Sequence, residues 1–295
     1  MTKILFDTDI GSDIDDAVCL AYLLKKQECE LMGVTTVSGE PEKRAMMASV
    51  LCKIAGKENI PIYPGVCDPL VTKQCQPIAA QAALLSKWDH NKSFPKGEAI
   101  EFLRSTIRKH PNEITLLAVG PMTNIALLFS VDPEIPSLLK ELVLMCGVFT
   151  YKMPTTSIIL KEWNAQCDPF ATKIVYNAKP SRIRSIGLDV TTQVVMDKKE
   201  VVNNFTSDIM KPVLDFAGVW FEHAEHITFH DPLAATTIFD EKICKFEKGN
   251  VTIETESSNL GGLTQFNKDT NGYNEVATEV NAPLFFDEYF KTVGK

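Results

Sequence analysis

Apolar and polar positions fall into two periods that alternate along the chain. Ile4-Leu5-Phe6 is apolar on both faces, and Ala17, Leu20, Ala21 and Leu24 then recur at helical spacing. This predicts a buried strand over 3–7 and a helix over about 14–26, with Ser12 or Asp13 as its cap. The β-branched run 30–39 predicts a second strand, and residues 42–56 form a helix ending at Gly56, a suitable C-terminal residue. A brief strand at 60–65 precedes a long loop over 66–95 with a helical middle at 78–87. Helix 97–109 leads to the run 114–120, apolar on both faces as parallel-sheet strands are. A helix at 122–130 and a strand at 140–147 repeat the unit.

Residues 148–165 lack a period and contain Pro154, so they read as a loop. Asp168-Pro169 suits the start of a helix, 182–190 reads as a strand, and helical stretches fill 197–240. From Lys245 apolar and polar residues alternate, which predicts antiparallel strands at a sheet edge before a last helix at 284–293. Strands alternating with helices predict an α/β fold: one domain over 1–295 with an open, largely parallel (mixed) sheet flanked by helices.

Composition changes this picture by exclusion. Hydrophobic content of 45% and charged content of 23% are ordinary for a globular chain. A net charge of −8 without a basic cluster argues against nucleic acid as a partner. Only the three-residue apolar run Ile4-Leu5-Phe6 leads into the first acid and no apolar run approaches about 18 residues, so neither a secretory signal nor a membrane span is expected and the cytoplasm is the expected location. The eight cysteines form no CxxC pair and are expected to be reduced thiols.

The chemistry concentrates where the first strand ends. Asp7, Asp9, Asp13, Asp15 and Asp16 crowd into ten residues around Gly11. Two carboxylates about 4 Å apart repel by roughly 1 kcal/mol in water and about 4 at a protein-like dielectric. Such a loop calls for a cation, and its oxygen-only donors favour calcium or magnesium over zinc. An EF-hand does not fit, since Val18 stands where a bidentate Glu is needed. Ligands of open parallel sheets bind at the carboxyl ends of the strands. Each later strand is followed by polar or glycine-rich punctuation: Ser38-Gly39-Glu40, Gly120 to Asn124, Cys146-Gly147 with Glu162-Trp163-Asn164, and finally His230-Asp231-Pro232.

Four segments in order, DTDIGSDIDDA (7–17), LLAVGPMTNIA (116–126), VLMCG (143–147) with EWN (162–164), and HDPLA (230–234), are similar to those of the inosine-uridine nucleoside hydrolase family. A weaker fifth is GLDVT at 187–191. The resemblance implies a Rossmann-like sheet and calcium-dependent hydrolysis of ribonucleosides to ribose and free base. It implies calcium ligation by Asp9, Asp16 and Asp231 with the carbonyl of Val119, and ribose contacts from Asp15, Asn164 and the metal-bound Asp231. Glu162 matches the partner of the 5′-hydroxyl, Met145 lines the sugar site, and Glu40 stands where Asn is common and a ribose contact is expected. Asp9 is the candidate base toward water and His230 the candidate acid toward the leaving base. Asp7 is expected to steer Asp9 or Asn164 from behind, and Asn124, with Thr123, to close a turn and cap a helix. A homodimer or homotetramer is implied.

The chain departs from the family pattern in an acidic loop two residues longer, which sets Asp13 aside, in Glu40, and in lacking a histidine-glycine pair near residue 80. Purine or pyrimidine preference therefore stays open. Phe6-Asp7-Thr8-Asp9 also resembles the start of a haloacid-dehalogenase-like phosphatase, which would make Asp7 a phosphorylated nucleophile beside magnesium. A non-catalytic nucleoside- or sugar-binding relative is a further alternative. His223, His226 and His230 would share one face of a helix, a spacing that also allows zinc.

Overall fold

The computed structural model describes residues 1–149 and 161–294; most of the expected loop over 148–165 lies outside the described residues. Its strands are β1 (Thr2–Thr8), β2 (Cys29–Thr36), β3 (Ile62–Pro64), β4 (Ile114–Ala118), β5 (Glu141–Leu144), β6 (Ile183–Ser185), β7 (Val195–Asp197), β8 (His226–Thr228), β9 (Cys244–Ile253), β10 (Thr264–Lys268) and β11 (Asn274–Val280). Nine of them form one sheet in the order β10-β9-β11-β6-β5-β4-β1-β2-β3, and β7 pairs with β8 in a separate antiparallel ribbon. The pairs from β3 through β11 are parallel, while β9 pairs antiparallel with both β11 and β10. This is the open, largely parallel mixed sheet that the alternating pattern predicts.

The pleat sends alternate residues of the apolar runs to opposite faces. Ile4, Phe6 and Leu117 pack in one core, and Leu5, Leu116 and Ala118 in the other. Helices cover both faces, which is why β1 and β4 read as continuous apolar runs. From β1 the chain winds through β2 to β3 on one side, then returns to place β4 on the other side of β1. That reversal opens a crevice beyond the carboxyl ends of β1 and β4, where ligands of such sheets bind.

Several local expectations differ from the structure. The first helix spans Asp15–Lys25 without a side-chain cap, because Asp13 Oδ1 accepts from the neighbouring Ile14 N (2.6 Å) instead. The stretch 182–190 is a strand for only three residues, then turns into a short helix Leu188–Thr191. Residues 197–240 are not wholly helical: β8 interrupts them, so His226 lies on a strand and His230 opens the helix His230–Thr237. The three histidines therefore share no helix face. The helix Pro41–Ile54 ends as expected at Gly56, whose φ of 66° is a backbone that glycine adopts without strain. Asp168 caps the helix Pro169–Asn177 by accepting from Ala171 N (3.0 Å).

The expectation of eight reduced thiols is corrected: Cys75 and Cys167 are bonded, with Cα atoms 6.1 Å apart, and the other six are free. Nothing in the linear pattern announces this pair, because 92 residues separate the partners and the fold alone brings them together. Among the described residues no helix is long and apolar enough to cross a membrane.

Candidate active site

β1 carries the chain into the crevice and delivers Asp9 at its lip. Beside it Val119 N donates to Asp7 O (2.9 Å), so the end of β4 runs alongside the loop. Gly120 permits the approach, since a Cβ there would lie 2.9 Å from Asp9 Oδ1. Two helices then aim their N-termini at the same point. Asp15 and Asp16 occupy the first turn of one and Asp231 the first turn of the other. Unpaired backbone N–H groups and the helix dipole favour negative charge there. Asp231 N donates to Asp15 Oδ2 (3.1 Å), and Thr8 Oγ1 donates to Asp16 Oδ1.

One oxygen each from the buried Asp15, Asp16 and Asp231 lies within 4.8 Å of the others. Burial pushes all three carboxyls well above the usual carboxylate range, and each is raised further by its acidic neighbours. Asp9 is raised as well, chiefly by burial, against the opposing pull of Arg44 and Gln76. Three buried carboxylates with only oxygen to offer fit a hard cation, which would supply the missing charge. Asp9 and the Val119 carbonyl line the same cavity and extend the donor set. The family resemblance groups Asp9 with Asp16 and Asp231; the structure brings Asp15 into the tightest group and leaves Asp9 at its side, its Oδ2 engaged by Gln76 Nε2 (2.5 Å).

The cavity has a volume of about 720 Å³, in the range of small-molecule sites. Asp9, Asp13, Asp15, Asp16, Val119, Met145, Glu162, Asn164, His230 and Asp231 all line it. Asn164 Nδ2 donates to Val119 O (2.6 Å) and to Met145 O (3.1 Å), which ties the helix Trp163–Cys167 to the ends of β4 and β5. Glu162 caps that helix, accepting from Asn164 N (2.7 Å) and Ala165 N (2.9 Å), and it also accepts from Gly147 N (3.1 Å). Burial raises its carboxyl, and those three N–H groups oppose the rise. His230 Nδ1 lies 2.7 Å from Thr191 Oγ1. Burial, with His226 nearby, pushes its imidazole down to about 4.

Two expected residues stand elsewhere. Glu40 is outside the cavity lining: its Oε2 accepts from Ala79 N (3.1 Å) and its Oε1 pairs with Lys43 (2.5 Å). A charged side chain with a backbone donor and a lysine within reach is held there, so Glu40 braces a loop instead of facing ribose. Asn124 caps no helix. Its Nδ2 donates to Asp7 Oδ1 (2.7 Å) and Thr36 O (3.1 Å), and its Oδ1 accepts from Val66 N (3.0 Å). Asp7 is fully buried behind Asp9 with its carboxyl raised to about 7, chiefly by burial, and it does not line the cavity. A phosphorylated nucleophile must meet its substrate, so this placement excludes the phosphatase role for Asp7. The zinc alternative has no histidine group either, since the metal-competent cluster among the described residues is the aspartate one.

Sequence reasoning missed Arg44 and Gln76. Arg44 is fully buried beneath the aspartate loop. Its Nη1 donates to the carbonyls of Asp9 and Ile10 and to Ser12 Oγ (3.0 Å), and its Nε donates to Gly39 O (2.7 Å). It holds the loop's backbone and sets a positive charge near Asp9 and Asp16. Within a stretch read only as a helix over 42–56, Arg44 carries no linear signal. Gln76 lies in a loop without periodicity.

The inosine-uridine preferring nucleoside hydrolase family model matches residues 4–287. The chain is 31% identical to a probable uridine nucleosidase 2 of Oryza sativa subsp. japonica, covering 95% of this chain and 90% of that protein. It is 30% identical to the inosine-uridine preferring nucleoside hydrolase of Leishmania major, covering 98% and 95%. Its fold superposes on a purine-preferring ribonucleoside hydrolase from Gardnerella vaginalis with a TM-score of 0.84 at 22% identity, covering 99% of this chain and 98% of that one.

Proposed function

The chain belongs to the inosine-uridine preferring nucleoside hydrolase family, and from that premise we propose that it cleaves the N-glycosidic bond of ribonucleosides to ribose and free base with calcium as its cofactor. The observation that carries the reading is the buried oxygen cluster of Asp15, Asp16 and Asp231 lining a cavity of about 720 Å³.

Breaking a ribosyl C–N bond develops positive charge on the sugar, as in glycoside hydrolysis. Carboxylates arranged beforehand around that position stabilise the charge without reorganising. Calcium, when bound by Asp9, Asp16, Asp231 and the Val119 carbonyl, supplies a hard positive charge that acidifies a water and favours a fixed ribose. Asp9 takes the proton from the attacking water. Asp15, Asp231 and Asn164 hold the ribose hydroxyls, Glu162 meets the 5′-hydroxyl, and Met145 packs against the sugar. Asp7, held by Asn124 and Thr35, supports Asp9 from behind. His230 serves the leaving base. The Thr191 hydroxyl can donate to Nδ1, and in that arrangement a neutral imidazole carries its proton on Nε2, the tautomer a donor needs.

The names of the rice and Leishmania relatives make uridine and inosine the first substrates to try. A panel of ribonucleosides followed by a reducing-sugar assay tests the reading. Ribose is expected from at least one of them, and Asp9→Ala is expected to lower kcat by about 10³-fold or more with an unchanged melting temperature. Tight binding of a nucleoside with no turnover would favour a non-catalytic relative instead. The family resemblance supports a homodimer or homotetramer, which light scattering checks.

A further inference from the structure

The long loop after β3 ends in a segment fixed from several directions. Gly39 lets it approach closely: a Cβ there would lie 2.4 Å from Pro77 O and 2.5 Å from Gln76 O. Ser38 Oγ donates to Gln74 Oε1 (3.3 Å), and the same oxygen accepts from Gln76 N (2.7 Å). Glu40 Oε2 accepts from Ala79 N (3.1 Å). On the opposite flank Cys75 is bonded to Cys167, and Thr72 Oγ1 donates to Cys167 O (2.8 Å). The strand-end segment Ser38-Gly39-Glu40 and the disulfide thus grip one short stretch from both sides.

That stretch sends one polar side chain to the acidic group. Gln76 is buried, and its Nε2 donates to Asp9 Oδ2 (2.5 Å) while its Oε1 accepts from Trp163 Nε1 (2.6 Å). The amide cannot be turned over. An indole N–H only donates, so it must meet the amide oxygen, which leaves the amide N–H facing the carboxylate.

We propose that Gln76 is a positioning residue for Asp9: the Trp163 indole fixes the amide, and the amide fixes the carboxylate with Oδ2 engaged and Oδ1 left toward the reaction. The inference deepens the nucleoside hydrolase reading and rests on it. A base that must meet water along one direction loses rate when its carboxylate can rotate, whereas substrate affinity depends on other groups. The effect therefore falls on kcat more than on KM.

The test measures kcat, KM and melting temperature of the full chain at saturating calcium, on the best nucleoside of the panel. Gln76→Glu keeps the shape and the acceptor for Trp163 but sets a carboxylate against Asp9. Gln76→Met keeps the reach and removes both hydrogen bonds. Both are expected to lower kcat about 10–100-fold, with KM within about threefold of the parent and melting unchanged. Trp163→Phe retains the Gln76–Asp9 bond and is expected to cost less in kcat than either. A Gln76→Met enzyme with kcat within about twofold of the parent would overturn the proposal. So would a rise in KM alone, which would make Gln76 a substrate contact, or unfolding of both Gln76 variants, which would make it a purely structural residue. A parent protein that releases ribose from no nucleoside would overturn the hydrolase reading and this inference with it.

Discussion

At the scale of the residue, the two ends of the reaction are built differently. Asp9 sits among like charges and is steadied by Arg44 and Gln76, whereas His230 has a single hydroxyl, Thr191, beside its Nδ1. An imidazole pushed down to about 4 is uncharged at neutral pH, so in the proposed reaction His230 would serve as a neutral donor and not as an imidazolium. Its worth depends on the leaving group. His230→Ala is expected to slow inosine or uridine hydrolysis by about 10²–10⁴-fold and to spare p-nitrophenyl riboside, whose leaving group departs without protonation. Equal losses on both substrates would remove its role as acid. Residue identity was legible for the acids because their spacing has no comfortable use without a cation. It was not legible for Gln76, Arg44 or Glu40. Their contacts join positions far apart in sequence, and Glu40 in particular is drawn to Ala79 N and Lys43, neither of which the strand-end pattern could rank above a sugar.

Elements, not side chains alone, make the site. Two helix N-termini converge on one point, and the strand ends between them hold Asp9 and the Val119 carbonyl. The flanking helices need their own fastening. Asp132, at the C-terminal end of the helix Thr123–Val131, accepts from Arg108 (2.6 Å) and Arg104 (2.8 Å) of the helix Ala99–Lys109. The hydrogen bond from Arg108, with Arg104 assisting, holds its carboxyl down at about 2. A folded value below the unfolded one, about 3.9, adds stability that is fully present above pH 4 and lost as pH falls through about 2. Both arginines are partly exposed, so the contribution is modest. Asp132→Asn is expected to lower the melting temperature at pH 7 by about 1–3 °C, with the gap closing between about pH 4 and pH 2. A gap that widens in acid would contradict the assignment. Element type was legible wherever a run was long, as in Ile114–Ala118 and Ala99–Lys109. It failed in short pieces such as His226–Thr228, where a three-residue pairing with Val195–Asp197 outweighs local helical spacing.

In the whole molecule, the sheet order explains why distant segments meet. Because the chain reverses between β3 and β4, residues near positions 9, 119, 164 and 231 reach one crevice at the carboxyl edge. The alternating pattern predicts that sheet and its polar strand ends, so the outline of the crevice is legible in the sequence. The braces between distant segments are not, including the bond between Cys75 and Cys167, since hydrophobic periodicity reports burial and not partners. The proposed function turns on a buried acidic cluster working through a cation. The measurement is ribose release by protein stripped with a strong chelator, verified metal-free, and then titrated with calcium. Negligible release is expected after stripping, with a saturable return of activity as calcium is restored. Full activity in the verified metal-free protein would contradict the proposed function.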